Sequence, residues 1–548
     1  MTSSPSSPAT TPSTAESPDH ARNMLVIRLL LVSAFVVILN ETLMGVAIPE
    51  LIDDLGITAS AAQWLTTAFM LTLAVVIPIT GFLMLRFSTR RMFLAAMSLF
   101  TIGTAIATVA PGFAVLLIAR VVQASGTAIM MPLLFTTVFA LVPAHMRGRV
   151  VGNISIVISV APALGPTVSG LILSIADWRW LFITMMPFAI GALALGAARI
   201  VNVGEQRPVR LDVPSVVLSI PGFGGLVYGL SLLGERGGEQ LVPGLIALGI
   251  GIGAIALFTA RQVVLQRTDG ALLDLRTFAS REFALAIATV TIASMALFGA
   301  IILIPLYVQD VLGAEAVVSG LLILPGGLLM AFAAPVIGRR YDRVGPRSLV
   351  IPGAILLSAS LWGMTLFSAT TPLWLVTVAN LGTSLGLALL FTPLITNGMS
   401  SLTPRLSSYG SAIVGTIQQV AGAAGIALFI SVSSAFAGPE GATTDSVTAE
   451  GVRAAFAVGA IIALVTIPLV LMVRRAEPVP FATPGPDGAG DGSADAEGGA
   501  PAEGGARAAS APATEGADHS AASTAENSSG STTLSGAPTK NGATSSGS

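Results

Sequence analysis

Cysteine, histidine and charged residues are scarce in this chain, and each shortage excludes a class of function. The 548 residues include no cysteine, so disulfides, thiol catalysis and cysteine-bound metals are excluded. Only 10% of the residues are charged, well below the roughly 25% of an ordinary soluble domain. The three histidines, His20, His145 and His519, follow no metal-ligand spacing, and no glycine-rich phosphate loop ending in Lys-Ser or Lys-Thr occurs. We therefore expect no cofactor and no ATPase activity.

Hydrophobic residues make up 53% of the sequence, above the usual share in soluble proteins. They concentrate in fourteen runs of about 20 residues, the length of a helix that crosses a bilayer core about 30 Å thick. Each segment in lipid must satisfy its own backbone hydrogen bonds, so the runs must be helices. The sequence predicts an all-α polytopic membrane protein with spans at 27–48, 64–85, 92–110, 113–136, 150–173, 178–198, 213–233, 241–260, 283–306, 317–338, 348–368, 373–396, 410–435 and 454–473.

The arginines predict the orientation of these spans. If the N-terminus is cytoplasmic, twenty-one arginines flank the spans on the cytoplasmic side, and Arg179, Arg236 and Arg453 lie on the other side. Basic residues near spans favour the cytoplasm, so both termini are predicted to be inside. The first twenty residues have no basic region leading to a short apolar core. We expect the first span, and not a cleaved signal peptide, to direct insertion.

Both ends of the sequence are polar and poor in aliphatic residues. Residues 1–22 are mostly Ser, Thr, Pro and Ala, and residues 477–548 are mostly Gly, Ala, Ser, Thr and Pro with scattered acids. Such a composition cannot bury a core. We predict disordered cytoplasmic tails over both ranges.

The chain also repeats itself at an offset of 257 residues. The matching pairs are Pro78 with Pro335, Gly81 with Gly338, Arg86 with Arg343, Arg90 with Arg347, and Gly56 with Gly313. Chance matching among small residues is the alternative, but several matches share one register. A duplicated six-helix half on each side of an inserted helix pair explains the fourteen spans, with boundaries at 23–200, 201–275 and 276–476. Parallel repeats of this kind form a substrate site near the midplane between two rocking halves.

Two ionisable residues fall well inside predicted spans. Glu41 lies roughly 20 Å along a span of about 30 Å, where a charged side chain costs at least about 2.5 to 3.5 kcal/mol. A low dielectric disfavours the charged form of a carboxyl group, so Glu41 is suited to gain and lose a proton as its surroundings change. Arg120 lies in the fourth span and shares a helix face with Gln123. A purely structural role in interhelical hydrogen bonds stays open for both charges.

Several short motifs occur in the order found in one transporter family. They are Leu39 to Pro49 in the first span, Gly81 to Arg91 after the second, Arg120 to Gly126 in the fourth, Ala161 to Gly170 in the fifth and Trp178 to Pro187 at the sixth. With its fourteen spans, the sequence resembles the major facilitator superfamily, and within it the fourteen-spanner drug:proton antiporters, over roughly residues 25 to 475. The resemblance implies the major facilitator fold, with two pseudo-symmetric six-helix halves that alternate access to one site.

The motifs depart from the family pattern at two places. The family's first-helix aspartate falls on Asn40 here, and Glu41 stands one position later, about 100° further around the helix. The acid of the loop after the second span is replaced by Leu85, whereas the second copy keeps Asp342 before Arg343. The resemblance therefore implies a displaced proton carrier and an inner gate whose N-terminal lock is weakened or made differently.

Further site residues follow from the resemblance and the residue types. Proton coupling is assigned to Glu41, tuned by Arg120. The cavity candidates are Asn40, Gln123, Asn380, Asn397, Gln418 and Gln419, although an interhelical hydrogen bond explains each amide singly. The gate candidates are Gly81, Arg86, Arg90, Gly165, Pro166, Asp342 and Arg343. Gly165 and Pro166 are expected to let the fifth helix pack tightly at the seam between the halves, or simply against a neighbour, and the arginines to brace acids or helix C-termini.

The sequence thus predicts a proton-coupled multidrug efflux antiporter of the bacterial inner membrane, and not an enzyme. Its partners would be small amphipathic or cationic compounds, protons and lipid, with no nucleic acid, and it would act as a monomer. The alternatives are a dedicated exporter of one natural product, an uptake symporter, and a non-transporting receptor or scaffold. Glu41 and Arg120 argue against a scaffold, which has little reason to bear the cost of intramembrane charge.

Overall fold

The structure is a computed structural model that describes residues 18–202, 212–233, 240–268, 270–436 and 447–476. Within these ranges the regular structure is helical, and no strand occurs. Fourteen helical spans are long and apolar enough to cross a membrane, which confirms the predicted number. The first helix begins at Pro18, inside the predicted N-terminal tail. Residues 1–17 and the predicted tail at 477–548 lie outside the described residues.

The first six spans are single helices. They are α1 (Pro18–Leu55), α2 (Ala59–Arg86), α3 (Thr89–Thr108), α4 (Phe113–Leu141), α5 (Arg147–Leu173) and α6 (Arg179–Arg199). The unpaired N–H groups of a helix start are often satisfied by a side-chain cap. Thr58 Oγ1 accepts from the N–H of Ala61 at 3.2 Å, and Ser88 Oγ accepts from the N–H of Arg91 at 3.4 Å. These caps set the starts of α2 and α3.

The inserted pair consists of one broken and one continuous span. The first is α7 (Val213–Ser219), a π turn (Ile220–Gly224) and α8 (Gly225–Leu233), and the second is α9 (Leu241–Leu265). Glycine brings α8 and α9 into close contact: a Cβ added at Gly229 would lie 2.6 Å from the backbone nitrogen of Leu248. Small residues allow membrane helices to approach in this way, so the two spans form one packed unit.

The C-terminal six spans complete the bundle. They are α10 (Arg281–Leu306), extended by a π turn (Tyr307–Val311), α11 (Ala316–Val344), α12 (Arg347–Met364), α13 (Leu373–Ser400), α14 (Pro404–Ala435), and α15 (Ala449–Leu464) with α16 (Thr466–Met472), which share the last span. Their core includes an aromatic chain, in which Tyr307 stacks on Phe367 at 5.0 Å and Phe367 meets Phe456 edge-on at 6.0 Å. Such pairs add to the free energy of burial.

The two halves repeat the same helix contacts. In the N-terminal half, α1 packs on α5, α2 packs on α4, and α3 packs on α6. In the C-terminal half, the equivalent pairs are α10 with α14, α11 with α13, and α12 with α15. Gly56 and Gly313 both have positive φ, at 60° and 65°. Arg90 Nη2 donates to Ala197 O at 2.7 Å, and Arg347 Nη2 donates to Leu471 O at 2.9 Å, so each ties its loop to the last span of its own half.

Successive spans alternate in direction, so the loops fall into two sets. We call the end of the bundle that holds the start of α1 and the end of α16 the arginine-rich end, and the other the opposite end. The halves meet along two seams, one between α5 and α11 and the other between α2 and α14. The predicted site residues lie on the helices of these seams and on their neighbours.

Candidate functional site between the two halves

Two helices hold Arg120 inside the N-terminal half. The residue is 1% exposed. Its Nη1 donates to Gln123 Oε1 at 3.2 Å within α4, and its Nε donates to Leu65 O of α2 at 3.5 Å. The guanidinium carbon also lies 4.1 Å from the centroid of the Phe69 ring. A desolvated cation over an aromatic face is attracted by about 2 kcal/mol, so α2 and α4 together fix the position of this positive charge.

Gln123 lies in the interior of the N-terminal half and not at a cavity. It is fully buried, and its Nε2 donates to Thr104 Oγ1 of α3 at 2.9 Å while its Oε1 accepts from Arg120. Both ends of the amide are therefore used within the half. The predicted cavity role does not fit this position, and Gln123 instead anchors Arg120 to α3.

Glu41 is half-buried on α1, and its carboxylate is unpaired. It makes no hydrogen bond or ion pair with the residues that the structure describes, but it interacts electrostatically with Arg120. The structural alternative for Glu41 requires an interhelical hydrogen bond or a direct arginine contact, and the described ranges offer neither. A carboxylate with a fixed cation nearby and no partner of its own responds strongly to changes in hydration. This is the property that proton exchange requires.

Asn40 occupies a different environment from its neighbour Glu41. It is 2% exposed, and its Nδ2 has no hydrogen-bond partner in the described part of the chain. Adjacent helix positions point about 100° apart, and Asn40 shares the buried face of α1 with Val36, Val37 and Met44. The family's aspartate position thus carries a neutral amide in the packed interior of this half, while the carboxylate lies on the less buried side.

The candidate amides of α13 and α14 differ in their surroundings. Gln418 and Gln419 on α14 are half-buried, and their amides bond to none of the described residues, which leaves them available to a ligand. Asn380 on α13 is buried and donates through Nδ2 to Ile323 O of α11 at 3.2 Å. This bond matches the interhelical alternative for Asn380 and not a cavity role.

Asn397 lies at the arginine-rich end, where four groups occupy its amide. Its Nδ2 donates to Arg474 O at 2.8 Å and to Glu282 Oε2 at 3.3 Å. Its Oδ1 accepts from the N–H of Ala476 at 2.9 Å and from the hydroxyl of Tyr341 at 3.3 Å. Asn397 therefore joins α10, α11 and α13 to the chain that follows α16. The predicted cavity role is corrected to one in holding the end of the bundle together.

Asp342 closes the α5–α11 seam at the arginine-rich end. Its Oδ1 accepts from the N–H of Gly148 at 2.8 Å, and its Oδ2 accepts from the N–H of Arg149 at 2.9 Å. A carboxylate at a helix N-terminus satisfies unpaired N–H groups and the positive end of the helix dipole. A Cβ added at Gly152 would lie only 2.6 Å from Ala334 O. This seam is thus closed by backbone contact and by a charge that reaches across it.

At the α2–α14 seam, the position that corresponds to Asp342 carries no carboxylate. A Cβ added at Gly81 would lie 3.2 Å from Cδ1 of Tyr409 and 3.3 Å from Cβ of Ala412, so α14 lies directly against this glycine. Leu85, in the position that corresponds to Asp342, has no oxygen to accept a hydrogen bond. Nearby, the hydroxyls of Thr136 on α4 and Ser411 on α14 lie 2.7 Å apart. The weakened acidic lock at this seam stays a prediction.

The predicted gate arginines have different surroundings. Arg90 donates to the carbonyl of Ala197 in the last turn of α6, which matches the expected contact with a helix C-terminus. The guanidinium carbon of Arg86 lies 5.9 Å from the centroid of the Phe87 ring. Arg343 is exposed, and its side chain bonds to no residue in the described ranges. Arg343 therefore does not brace the gate in this conformation.

Gly165 packs inside the N-terminal half and not at the seam between the halves. A Cβ added there would collide with Thr42 on α1, coming within 2.7 Å of its Cβ. Thr42 Oγ1 also donates to Ala161 O at 3.4 Å. Pro166 is exposed. The motif therefore sets the α1–α5 distance next to Glu41, and the alternative of packing against a neighbouring helix is the correct one.

Direct hydrogen bonds between the halves lie towards the arginine-rich end of the bundle. Within the described ranges, these bonds include those of Asp342, that between Thr136 and Ser411, and that between the hydroxyls of Ser155 and Thr392 at 2.9 Å. All lie towards the arginine-rich end. At Gly170 of α5 and Gly320 of α11 an added Cβ would meet no atom within 4 Å. Thr42, next to Glu41, packs on Gly165, which lies further along α5 from that end than Ser155, so these contacts lie on the arginine-rich side of Glu41.

Sequence reasoning missed several gate residues. Tyr409, Ser411 and Thr392 carry no motif, and their roles depend on which helices meet. The repeat offers one signal, because Tyr409 stands 257 residues after Gly152. Equivalent positions in the two halves occupy equivalent seams, so a tyrosine opposite a glycine marks a difference between the two gates.

Fourteen spans in a repeated six-helix arrangement, with two intramembrane charges in the N-terminal half, are typical of a secondary transporter. The chain belongs to the Major Facilitator Superfamily, whose model matches residues 30–426. It is accordingly a multi-pass membrane transporter of small molecules and not an enzyme.

Related proteins agree with this assignment. The chain is 42% identical to the uncharacterized MFS-type transporter YcnB of Bacillus subtilis (strain 168) over 443 residues, which cover 80% of this chain and 93% of that protein. It is 36% identical to the lincomycin resistance protein LmrB of the same strain, with 77% of this chain and 88% of that protein covered. The multidrug resistance protein B homolog of Mycobacterium tuberculosis (strain ATCC 25618 / H37Rv) is 32% identical, with 71% and 72% covered.

A solved structure shares the fold. The human organic anion transporter MFSD10 matches with a TM-score of 0.58 at 14% identity, covering 83% of this chain and all of that one. At this identity the likeness shows the fold alone. It supports the major facilitator architecture predicted from the repeat.

Proposed function

We propose that this transporter is a proton-coupled multidrug efflux antiporter that exports small amphipathic or cationic compounds by alternating access. It acts as a monomer in a bacterial inner membrane, with both termini cytoplasmic, and it draws on the proton gradient without a cofactor. In the conformation described, the arginine-rich end is the closed cytoplasmic side. Glu41 exchanges protons with the opposite side and Arg120 favours its charged form.

The observation that carries this proposal is the unpaired Glu41 carboxylate beside the fixed charge of Arg120. A proton and a cationic compound compete for such a carboxylate, because either one neutralises it. Burial after closure disfavours the bare charge, so the site changes access only when occupied. Gln418 and Gln419 add two uncommitted amides, and the resistance names of the relatives support drugs as the cargo.

Proteoliposomes test the proposal directly. We expect an imposed pH gradient to drive a fluorescent lipophilic cation across the membrane with the unmodified protein. Glu41→Gln should lower this movement at least ten-fold while retaining exchange of dye for dye without a gradient. The matched control is Glu315→Gln, because Glu315 is exposed at the start of α11 and should keep full transport. Unmodified rates in Glu41→Gln would remove the coupling role, and no movement with the unmodified protein would remove the antiport proposal.

A dedicated exporter of one compound is the second candidate. The name of the LmrB relatives points to a single antibiotic class, lincomycin. The same liposomes should therefore be assayed with lincomycin and with several unrelated cations. Gradient-dependent transport of lincomycin alone would favour the dedicated exporter over the multidrug proposal.

A further inference from the structure

The inserted helix pair covers the α2–α14 seam from the side. Near the opposite end, the rings of Trp64 on α2 and Tyr228 on α8 lie 5.5 Å apart, and Ser431 Oγ on α14 donates to Leu233 O at 3.0 Å. A Cβ added at Gly224 would lie 3.4 Å from a methyl carbon of Val75 on α2. The pair thus contacts one helix from each half. At the α5–α11 seam, the two halves meet without an inserted helix.

A partly exposed polar network fastens the pair together at the arginine-rich end. Arg261 of α9 donates to both carboxylate oxygens of Asp212, at 2.7 Å and 2.6 Å. Asp212 also accepts from the N–H of Ser215 at 3.0 Å and so caps α7. These hydrogen bonds, chiefly those from Arg261, lower the pKa of Asp212 to about 2. Two donors in bidentate geometry make this a rigid link.

Gln262 extends the network to the segment that follows α9. It is fully buried, and its Nε2 donates to Ser215 Oγ at 2.7 Å. Its Oε1 accepts from the N–H of Leu272 at 2.7 Å and from the N–H of Leu273 at 3.2 Å. A buried amide whose donor and acceptor are both satisfied holds its partners in one arrangement. The linker at 270–274 is therefore fixed to the inserted pair.

Tyr409 connects the same linker to α14. Its hydroxyl donates to Ala271 O at 3.2 Å, one residue before the backbone that Gln262 holds. Its ring lies against Gly81 of α2, and it is 3% exposed. Tyr409 thus has its ring in the seam and its hydroxyl on the linker. A continuous chain of hydrogen bonds runs from α7 and α9 through the linker to the gate.

The repeat shows that this arrangement belongs to one seam only. Gly152 occupies the position equivalent to Tyr409 and allows backbone contact between α5 and α11. Asp342 supplies a carboxylate across that seam, whereas its equivalent is Leu85. The α5–α11 seam therefore has the carboxylate of Asp342, and the α2–α14 seam has the bond from the Tyr409 hydroxyl to the linker.

We propose that Gln262 and Tyr409 are positioning residues that hold α14 against α2. The inserted helix pair would thus act as a latch, which means that it stabilises the closed form of this seam. Opening of the arginine-rich end separates α14 from α2 at Gly81. This movement breaks the bond between Tyr409 and Ala271 or pulls the linker away from Gln262. The latch therefore favours the closed arginine-rich end, whatever compound or ion the protein carries.

Thiol labelling tests the latch, because the chain has no cysteine of its own. Ser411→Cys and Thr392→Cys each place one thiol at a buried contact between the halves, the first at α4–α14 and the second at α5–α13. A maleimide reaches either thiol only after the arginine-rich end opens. The labelling rate therefore measures how often that end opens, without substrate or gradient.

We expect Tyr409→Phe, which removes only the hydroxyl, to raise labelling at both thiols about three- to ten-fold. Gln262→Met should raise labelling to a similar extent. The labelling rate of the double variant should be close to that of either single variant, because both residues belong to the same connection between α9 and α14. The control is Tyr307→Phe, which removes an equivalent tyrosine bond to Ser368 O near the opposite end and should leave both rates unchanged. Unchanged rates in Tyr409→Phe would overturn the proposal. A rise at Ser411→Cys alone would also overturn it, since that pattern means local loosening of α14. If Gln262→Met fails to fold, the conservative Tyr409→Phe still decides.

Discussion

The carboxylate of Asp342 on α11 accepts a hydrogen bond from the backbone N–H of Gly148, the second residue of α5, across 2.8 Å and across the boundary between the halves. A side chain from one half thus completes the first turn of a helix in the other. The bond exists only while the two helices touch, so its strength contributes to the equilibrium between open and closed states.

Asp342→Asn should open this seam more often. The amide can still accept one hydrogen bond, but the negative charge beside the helix N-terminus is lost, which weakens the contact by about 1 to 2 kcal/mol. We expect labelling of Thr392→Cys to rise about five- to twenty-fold. Arg343→Gln is the control, because Arg343 is adjacent in sequence but exposed and unbonded within the described ranges. Equal rates in the two variants would contradict a locking role for the carboxylate.

Gly165→Ala should destabilise the N-terminal half. The added methyl group would collide with Thr42, and such overpacking costs about 1 to 3 kcal/mol. We expect a clear fall in melting temperature for the purified protein in detergent. Gly170→Ala is the matched control one turn away, where the methyl group meets no atom within 4 Å. Thr42→Ala should partly restore Gly165→Ala, and its failure to do so would show that the collision is not the cause.

Moving the acid by one position should not preserve coupling. The double variant Asn40→Asp, Glu41→Gln returns the carboxylate to the family's usual position, but that position is 2% exposed on the packed face of α1. An unpaired buried charge is costly, so the new acid should stay protonated or destabilise the half. We expect gradient-driven dye transport as low as in Glu41→Gln alone. Recovery to the unmodified rate would show that α1 turns this face to the cavity during transport.

The Asp212–Arg261 pair should make stability depend on acid pH. The pKa of Asp212 is lowered to about 2, below its ordinary value near 3.9, so the folded state favours the charged form. Its stabilising contribution is present above about pH 4 and is lost as pH falls towards 2. The melting temperature of the unmodified protein should therefore approach that of Asp212→Asn over this range. A difference in melting temperature between the unmodified protein and Asp212→Asn that stays constant from about pH 4 to about pH 2 would contradict the assignment.

The sequence predicted the features that depend on local composition and on the repeat. The fourteen apolar runs correspond to the fourteen spans of the structure. Arg90 and Arg347, which are 257 residues apart, make equivalent contacts in the two halves. The sequence did not predict how deep each polar residue lies in the bundle or which neighbouring helix its side chain faces. Gln123 and Asn397 look alike as amides in apolar runs, yet one holds Arg120 and the other joins the ends of three helices. Long-range neighbours decide such roles, and a single sequence does not specify them.

Gly165 illustrates the same limit. The pattern of glycine and proline correctly indicates a close helix approach, but the partner helix is set by how the bundle folds. Only the structure shows that this partner is α1 at Thr42. Tyr409 was unpredictable for a related reason, because its hydroxyl meets a linker about 140 residues earlier in the chain.

The outer face of α9 has a consequence for the membrane around the protein. Leu245, Ile246, Ile250 and Leu257 on this helix are more than half exposed, as expected of side chains in contact with lipid tails. The same helix carries Gln262 and Arg261 and packs on α7 and α8, so the bilayer contacts the helix that anchors the polar network beside the α2–α14 seam. Hydrophobic thickness can tilt a helix at a modest cost per ångström of mismatch. We therefore expect lipid chain length to act on the α2–α14 seam through α9 and the network that it anchors.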